Sequence, residues 1–125
     1  MRSSTLKVLR DPADFLPLKD LAYRILIALS DGGRHGGALV QALAEADGDT
    51  VLPGHLYRTL DRLLDDGLLE ERARPDDHSE PAGKRGTSPT RFFHLTPLGC
   101  DVARAETDRL ARLVARSRRG RLLRS

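Results

Sequence analysis

Residues 51–69 read VLPGHLYRTLDRLLDDGLL, and within them Leu56, Leu60, Leu63 and Leu64 recur at i, i+4, i+7 and i+8. That is the period of one face of an α-helix, and it predicts a helix from about Pro53 to Asp66 with these leucines in a core. Pro53 suits the first helical turn, where its missing N–H has no partner to lose, and Gly67 suits the end, where a left-handed residue is wanted. His55, Arg58 and Arg62, at i, i+3 and i+7, fall on roughly the opposite side, joined by the hydroxyls of Tyr57 and Thr59. An imidazole, two guanidiniums and hydroxyls on a free face are the groups that read base edges and grip phosphates. The stretch therefore reads as a recognition helix. A plain amphipathic surface helix would carry the same leucines, and its neighbours in the chain decide between the two.

Upstream, Leu18, Leu21, Ala22, Ile25, Leu26 and Leu29 follow i, i+3, i+4, i+7, i+8 and i+11 and predict a helix from Leu18 to Ser30, ended by Asp31-Gly32-Gly33. After Arg34-His35-Gly36-Gly37, a second helix is expected to carry Leu39, Val40, Leu43 and Ala44 inward to about Ala46. The turn Ala46 to Thr50 then leads into the recognition helix, which makes a helix-turn-helix.

Downstream, Leu68 to Arg72 and, more clearly, Arg91 to Thr96 (RFFHLT) read as strands. Between them Pro75, Pro81, Gly83, Gly86 and Pro89 exclude a regular element from Ala73 to Thr90. Two strands joined by a polar loop form a wing. Lys84 and Arg85 near its middle and Arg91 at its base are expected to reach a phosphate backbone or a minor groove. Asp76, Asp77 and Glu80 leave only the Lys84-Arg85 side of the loop suited to DNA.

Thr96-Pro97 supplies an N-cap and a proline at the first helical position, so a last helix is expected to about Arg116. Its thin apolar strip of Val102, Ala105, Leu110, Leu113 and Val114 predicts pairing with a second helix, and so a homodimer, the alternative being that it docks back on its own domain. Residues 1–17 mix Leu6, Val8, Leu9 and Phe15 with Pro12 and Pro17, which suits an arm without a long regular element. Leu6, Leu9 and Phe15 are expected to join Val102, Leu110, Leu113 and Val114 in the dimer interface. The expected organisation is an arm over 1–17, a DNA-binding domain over 18–96 with its wing loop near 73–90, and a dimerisation helix with a basic tail over 97–125. The fold class is mainly α (α+β): a winged helix-turn-helix with a three-helix core and a two-stranded β-hairpin wing.

A chain of 125 residues, 39% hydrophobic and 31% charged, holds one globular domain. No apolar run approaches the roughly 20 residues needed to cross a bilayer, and MRSSTLKVLRDPADF lacks an apolar signal core. A soluble, cytoplasmic, nucleoid-associated protein is expected, and the single Cys100 fits a reducing compartment. The net charge of +3 is unevenly placed. Residues 104–125 hold eight arginines against Glu106 and Asp108, a balance of +6 that leaves −3 for the rest. The basic end favours a polyanionic partner, here double-stranded DNA. His35, His55, His78 and His94 are scattered, with no metal-ligand spacing or acid–base pairing, and neither a phosphate-binding glycine loop nor a nucleophile elbow follows a strand. No enzyme, metal or cofactor is expected, and Cys100 reads as a half-buried spectator thiol.

These segments together resemble the PadR family of transcriptional regulators across most of residues 18–116. LAYRILIALSDGGRHGG matches the family's first helix and the glycine turn before its HGY motif. Pro53-Gly54-His55-Leu56-Tyr57-Arg58, continued to Gly67-Leu68-Leu69, matches its PG-x-LY-R signature, and Arg91 to Gly99 matches its wing-closing R-Y-Y-x-LT-x-x-G. Gly37 replaces the tyrosine of HGY, His55 stands where a threonine or serine is usual, and Phe92 and Phe93 replace two tyrosines. The resemblance implies a repressor that dimerises through terminal helices, in the subgroup with a single C-terminal helix, and a small-molecule effector that binds between recognition domain and dimer helices and releases DNA. With aromatics at 4%, an aliphatic pocket suits this chain better than one built on stacking.

The expected mechanism places two copies of Pro53 to Asp66 in successive major grooves about 34 Å apart, on an inverted-repeat operator. His55, Arg58, Thr59 and Arg62 would face bases and flanking phosphates, Tyr57 would position through a phosphate, and the amides near Gly54 would favour phosphate at the positive helix end. Asp61, Asp65 and Asp66 would repel the backbone, so the helix enters N-terminal end first. The alternative is a winged-helix protein-interaction module without sequence-specific DNA binding.

Overall fold

Leucine-rich stretches become helices and glycine-bearing ones the turns between them. The computed structural model describes residues 10–48, 50–72, 86, 88 and 90–122. A 3-10 turn over Pro12–Phe15, capped reciprocally by Asp11 and Asp14, precedes helix α1 (Asp20–Ala28). Strand β1 (Arg34–His35) runs directly into α2 (Gly36–Asp47), which ends on the left-handed Gly48. Helix α3 (Pro53–Asp65), strands β2 (Leu69–Arg72) and β3 (Phe92–Leu95), and the long α4 (Pro97–Arg119) complete the order. This is the mainly helical winged helix-turn-helix read from the sequence.

The core is made where α1, α2, α3 and the start of α4 meet the inner face of the sheet. Ile25 and Leu26 of α1, Leu39 of α2, Leu56 and Leu60 of α3, Phe93 of β3 and Val102 of α4 are fully enclosed. Each such side chain contributes roughly 1.5–3 kcal/mol of burial, so α3 is fastened chiefly by its leucine face. Helix α1 starts two residues later than its apolar period suggests, with Lys19 extended at its N-cap, and the Leu18 N–H just before it is bonded at 2.9 Å to the buried Glu106 carboxylate of α4. Arg109 grips that carboxylate from the next turn and holds it below its usual pKa, against the upward push of burial. Tyr23 and Thr107 add a hydroxyl–hydroxyl bond of 2.6 Å between α1 and α4.

Two departures concern the sheet and the dimer strip. The expected two-stranded wing gains a third strand: β3 is central, with β1 on one edge and β2 on the other, both antiparallel. Two residues of β1 are too few to show a period. Val102, expected at a dimer interface, is fully buried in the chain's own core, since α4 uses its first half to dock on α1. Phe15 is likewise half-buried against that core, with the Arg10 guanidinium 4.0 Å over its ring. Beyond Arg109, α4 leaves the core. Leu110 is half-buried there, and Leu113 and Val114 are 43% and 40% exposed. Leu6, Leu9 and most of the wing loop, including Lys84 and Arg85, lie outside the described residues.

One buried charge ties the sheet to α3. Arg91, only 2% exposed, donates from Nε and Nη2 to Glu71 of β2 at 2.9 and 2.8 Å, from Nη2 to Asp61 of α3 at 2.8 Å, and from Nη1 to the Gly86 carbonyl at 2.7 Å. Burial works against its charge, but the hydrogen bonds it donates to Glu71 and Asp61 outweigh it, so its pKa rises above that of an ordinary arginine. Breaking such a pair from one side costs far more than the pair contributes, because it strands the partner charges. Arg91→Met is therefore expected to lower unfolding free energy by about 3–5 kcal/mol in a denaturant titration. Adding Glu71→Gln to that variant should recover part of the loss. A single variant as stable as the wild type would refute the clamp.

Candidate nucleic-acid interface

Helix α3 divides along its length into a fastened face and a free one. Leu56, Tyr57, Leu60 and Leu63 are buried, whereas His55, Arg58 and Arg62 are exposed and Thr59 is half-exposed. Pro53 occupies the first turn, and Gly67, at φ +80°, turns the chain out toward β2. Thr96 holds that turn from the far side: its hydroxyl donates to the Gly67 carbonyl at 2.6 Å and accepts from the Gly99 N–H at 3.0 Å, capping α4 as well.

The charges on the free face are sorted by position. Among the described residues, neither Arg58 nor Arg62 is drawn into an ion pair, so both guanidiniums keep their full donor capacity. Thr59 donates to the His55 carbonyl one turn back at 2.9 Å, which leaves its oxygen as an acceptor outward. Asp61 is taken up by Arg91. The remaining acids, Asp65 and Asp66, lie at the C-terminal end. The N-terminal two turns are thus cationic and carry the positive end of the helix dipole, an arrangement that favours phosphate.

Two residues expected on that face are placed elsewhere. Tyr57 is 4% exposed and its hydroxyl donates to the Ser88 carbonyl at 3.0 Å, so it supports the wing instead of touching a phosphate. Burial pushes its phenol pKa up, with Arg91 pulling the other way. Its ring lies across the start of α2, where a Cβ on Gly36 would come within 2.0 Å of the hydroxyl oxygen. Arg91, expected to reach phosphate or minor groove, is sealed beneath the wing with its guanidinium 5.1 Å over the Phe93 ring. Both corrections have one cause: these side chains stand between α3 and the sheet, where water and DNA do not reach. Asp61, expected only to repel a DNA backbone, and Glu71 are the partners that hold Arg91, a pairing that only the fold reveals by bringing them within reach.

Known proteins can now be set beside this geometry. The chain matches the transcriptional regulator PadR-like family over residues 25–105. It is 34% identical over 100 residues to an uncharacterized 37.1 kDa protein in transposon Tn4556 of Streptomyces fradiae. That alignment covers 78% of this chain and 25% of that protein, so the chain spans about a quarter of the length of the curated relative it matches. Among solved structures, RosR of H. salinarum shares 29% identity at a TM-score of 0.60, covering 87% of this chain and 90% of that one. A PadR-like regulator of Bacillus cereus, at 19% identity and TM-score 0.64, covers 84% of this chain and 93% of its own. Bacillus subtilis PadR in complex with operator DNA, at 22% and 0.56, covers 75% and 48%. These last two share the fold. No helix among the described residues is long and apolar enough to cross a membrane. With the family's match running from the middle of α1 through the wing into α4, the chain belongs to the PadR-like family of transcriptional regulators.

Proposed function

We propose that the chain is a sequence-specific DNA-binding repressor that acts as a homodimer on an inverted-repeat operator. The observation that carries this reading is the free face of α3, with His55, Arg58 and Arg62 exposed and both arginines unpaired among the described residues. Among the described residues these guanidiniums form no ion pair, so their donors are free for a ligand. They suit guanine edges and phosphates, which accept in the bidentate geometry that arginine offers. Pro53 and Gly54 bring backbone close to a strand at the helix start, and Lys84 and Arg85 of the wing add sequence-independent affinity.

The dimer is supported by the second half of α4, where Leu110, Leu113 and Val114 lie outside the core on a helix of about 35 Å. Leucine and valine in that position are covered by a second copy. The Leu113→Asp, Val114→Asp double variant is expected to sediment as a monomer; a persistent dimer would put the interface elsewhere. Repression and release by an effector follow from the family resemblance. The place for an effector is the cleft of about 600 Å³ between the N-terminal turn and α3, where Leu18, Leu21 and Leu63 meet Arg58 and Arg62. An occupant with an aliphatic body and an anionic head would engage the cations that DNA needs.

Arg58→Ala tests the recognition helix. On a duplex that the wild type selects, the variant should lose on the order of 1–3 kcal/mol of affinity while its binding to random duplex changes little. Unchanged affinity for the selected duplex would remove α3 from the DNA-reading role and favour the protein-interaction alternative.

A further inference from the structure

Leu52 stands at the N-cap of α3 and is 72% exposed, yet its side chain makes no capping hydrogen bond. That position favours Ser, Thr, Asp or Asn, whose oxygen satisfies one of the free N–H groups of the first turn. A leucine there gives up the cap, and by standing in water it also gives up burial. Two local losses at one residue, uncompensated among the described residues, mark a position kept for a partner.

The neighbouring chemistry says which partner. Leu52, His55, Thr59 and Arg62 fall at i, i+3, i+7 and i+10, one line down the free face with Arg58 beside it. Among the described residues, Leu52 is the exposed large hydrophobic side chain on this line; Ile27, Leu113, Val114 and Leu122 belong to other elements. The acids at the far end of α3 make the Leu52 end the one that enters a groove first. On the edges of base pairs in the major groove, the apolar group available to a leucine is the C5-methyl of thymine.

We infer that Leu52 is a specificity-determining residue whose side chain packs on a thymine methyl in each operator half-site. This rests on the DNA-binding function proposed above and adds to it an apolar contact beside the polar ones of His55, Arg58 and Arg62. The residue sets which sequence is preferred and leaves phosphate-driven affinity untouched.

The test uses the full chain and duplexes that the wild type enriches from a random library. Each thymine is replaced in turn by deoxyuracil, which pairs identically and lacks the methyl. One thymine per half-site should weaken wild-type binding about fourfold on replacement, the effect of withdrawing one methyl group from an apolar contact. Leu52→Ser, which loses the contact in both half-sites, should bind the thymine duplex about fifteenfold more weakly and be indifferent to the same replacement. Because serine supplies the missing cap, this variant should melt at or above the wild-type temperature. A lower melting temperature would mean that Leu52 supports the fold, and would overturn the inference. So would a wild type that selects a sequence in which no thymine is sensitive, or a Leu52→Ser variant that suffers the same uracil penalty. A wild type that enriches no sequence at all would overturn the DNA-binding function itself.

Discussion

The buried guanidinium of Arg91 is the constraint on which the rest of the interface depends. It joins β2 through Glu71, α3 through Asp61 and the wing loop through Gly86, from a position almost closed to water. A hydrophobic contact of the same volume would hold these elements together but would not fix their relative orientation. Four charge-assisted bonds from one planar group do, because each acceptor must lie near the plane of the fork. Side-chain geometry thereby helps to fix the angle between the sheet and α3.

That clamp also shapes the field that α3 presents. Asp61 would otherwise place a carboxylate in the middle of the helix, within one turn of Arg58 and Arg62. Neutralised by Arg91, it no longer competes with a phosphate for those cations, and the acids that remain collect at the C-terminal end. Tyr57 works in the same direction, filling the space over Gly36 and tying the far side of the wing to Ser88. The two residues of the signature that look most like DNA contacts are in this way the ones that aim the others.

The helices were legible in the sequence because each buries one face, and a 3.6-residue period survives in a single line of text. Their ends were less so: α1 begins at Asp20 and not Leu18, with Lys19 extended at its N-cap and the Leu18 N–H held by Glu106, 88 residues away. Strand β1 was invisible, being two polar residues whose pairing is decided by Phe92 and Phe93. Val102 shows the limit of periodicity, which says that a side chain faces a neighbour but not whether that neighbour is the same chain or another. Arg91 and Tyr57 show the limit of chemistry read residue by residue. A cation after a loop and a phenol at the edge of an apolar stripe look like surface groups until carboxylates 20 and 30 residues away hold the first and a carbonyl 31 residues away takes the second.

In the proposed function the free face of α3, and not the general attraction of the arginine-rich end, decides where this protein binds. The most direct measurement is the affinity of the full chain for a duplex enriched from its own genome beside a shuffled duplex of the same composition, across a salt series. The enriched duplex should bind at least about a thousandfold more tightly, and both affinities should fall as salt rises while the preference persists. Equal affinities at every salt concentration, declining together, would contradict the claim and leave only a polyanion-binding surface.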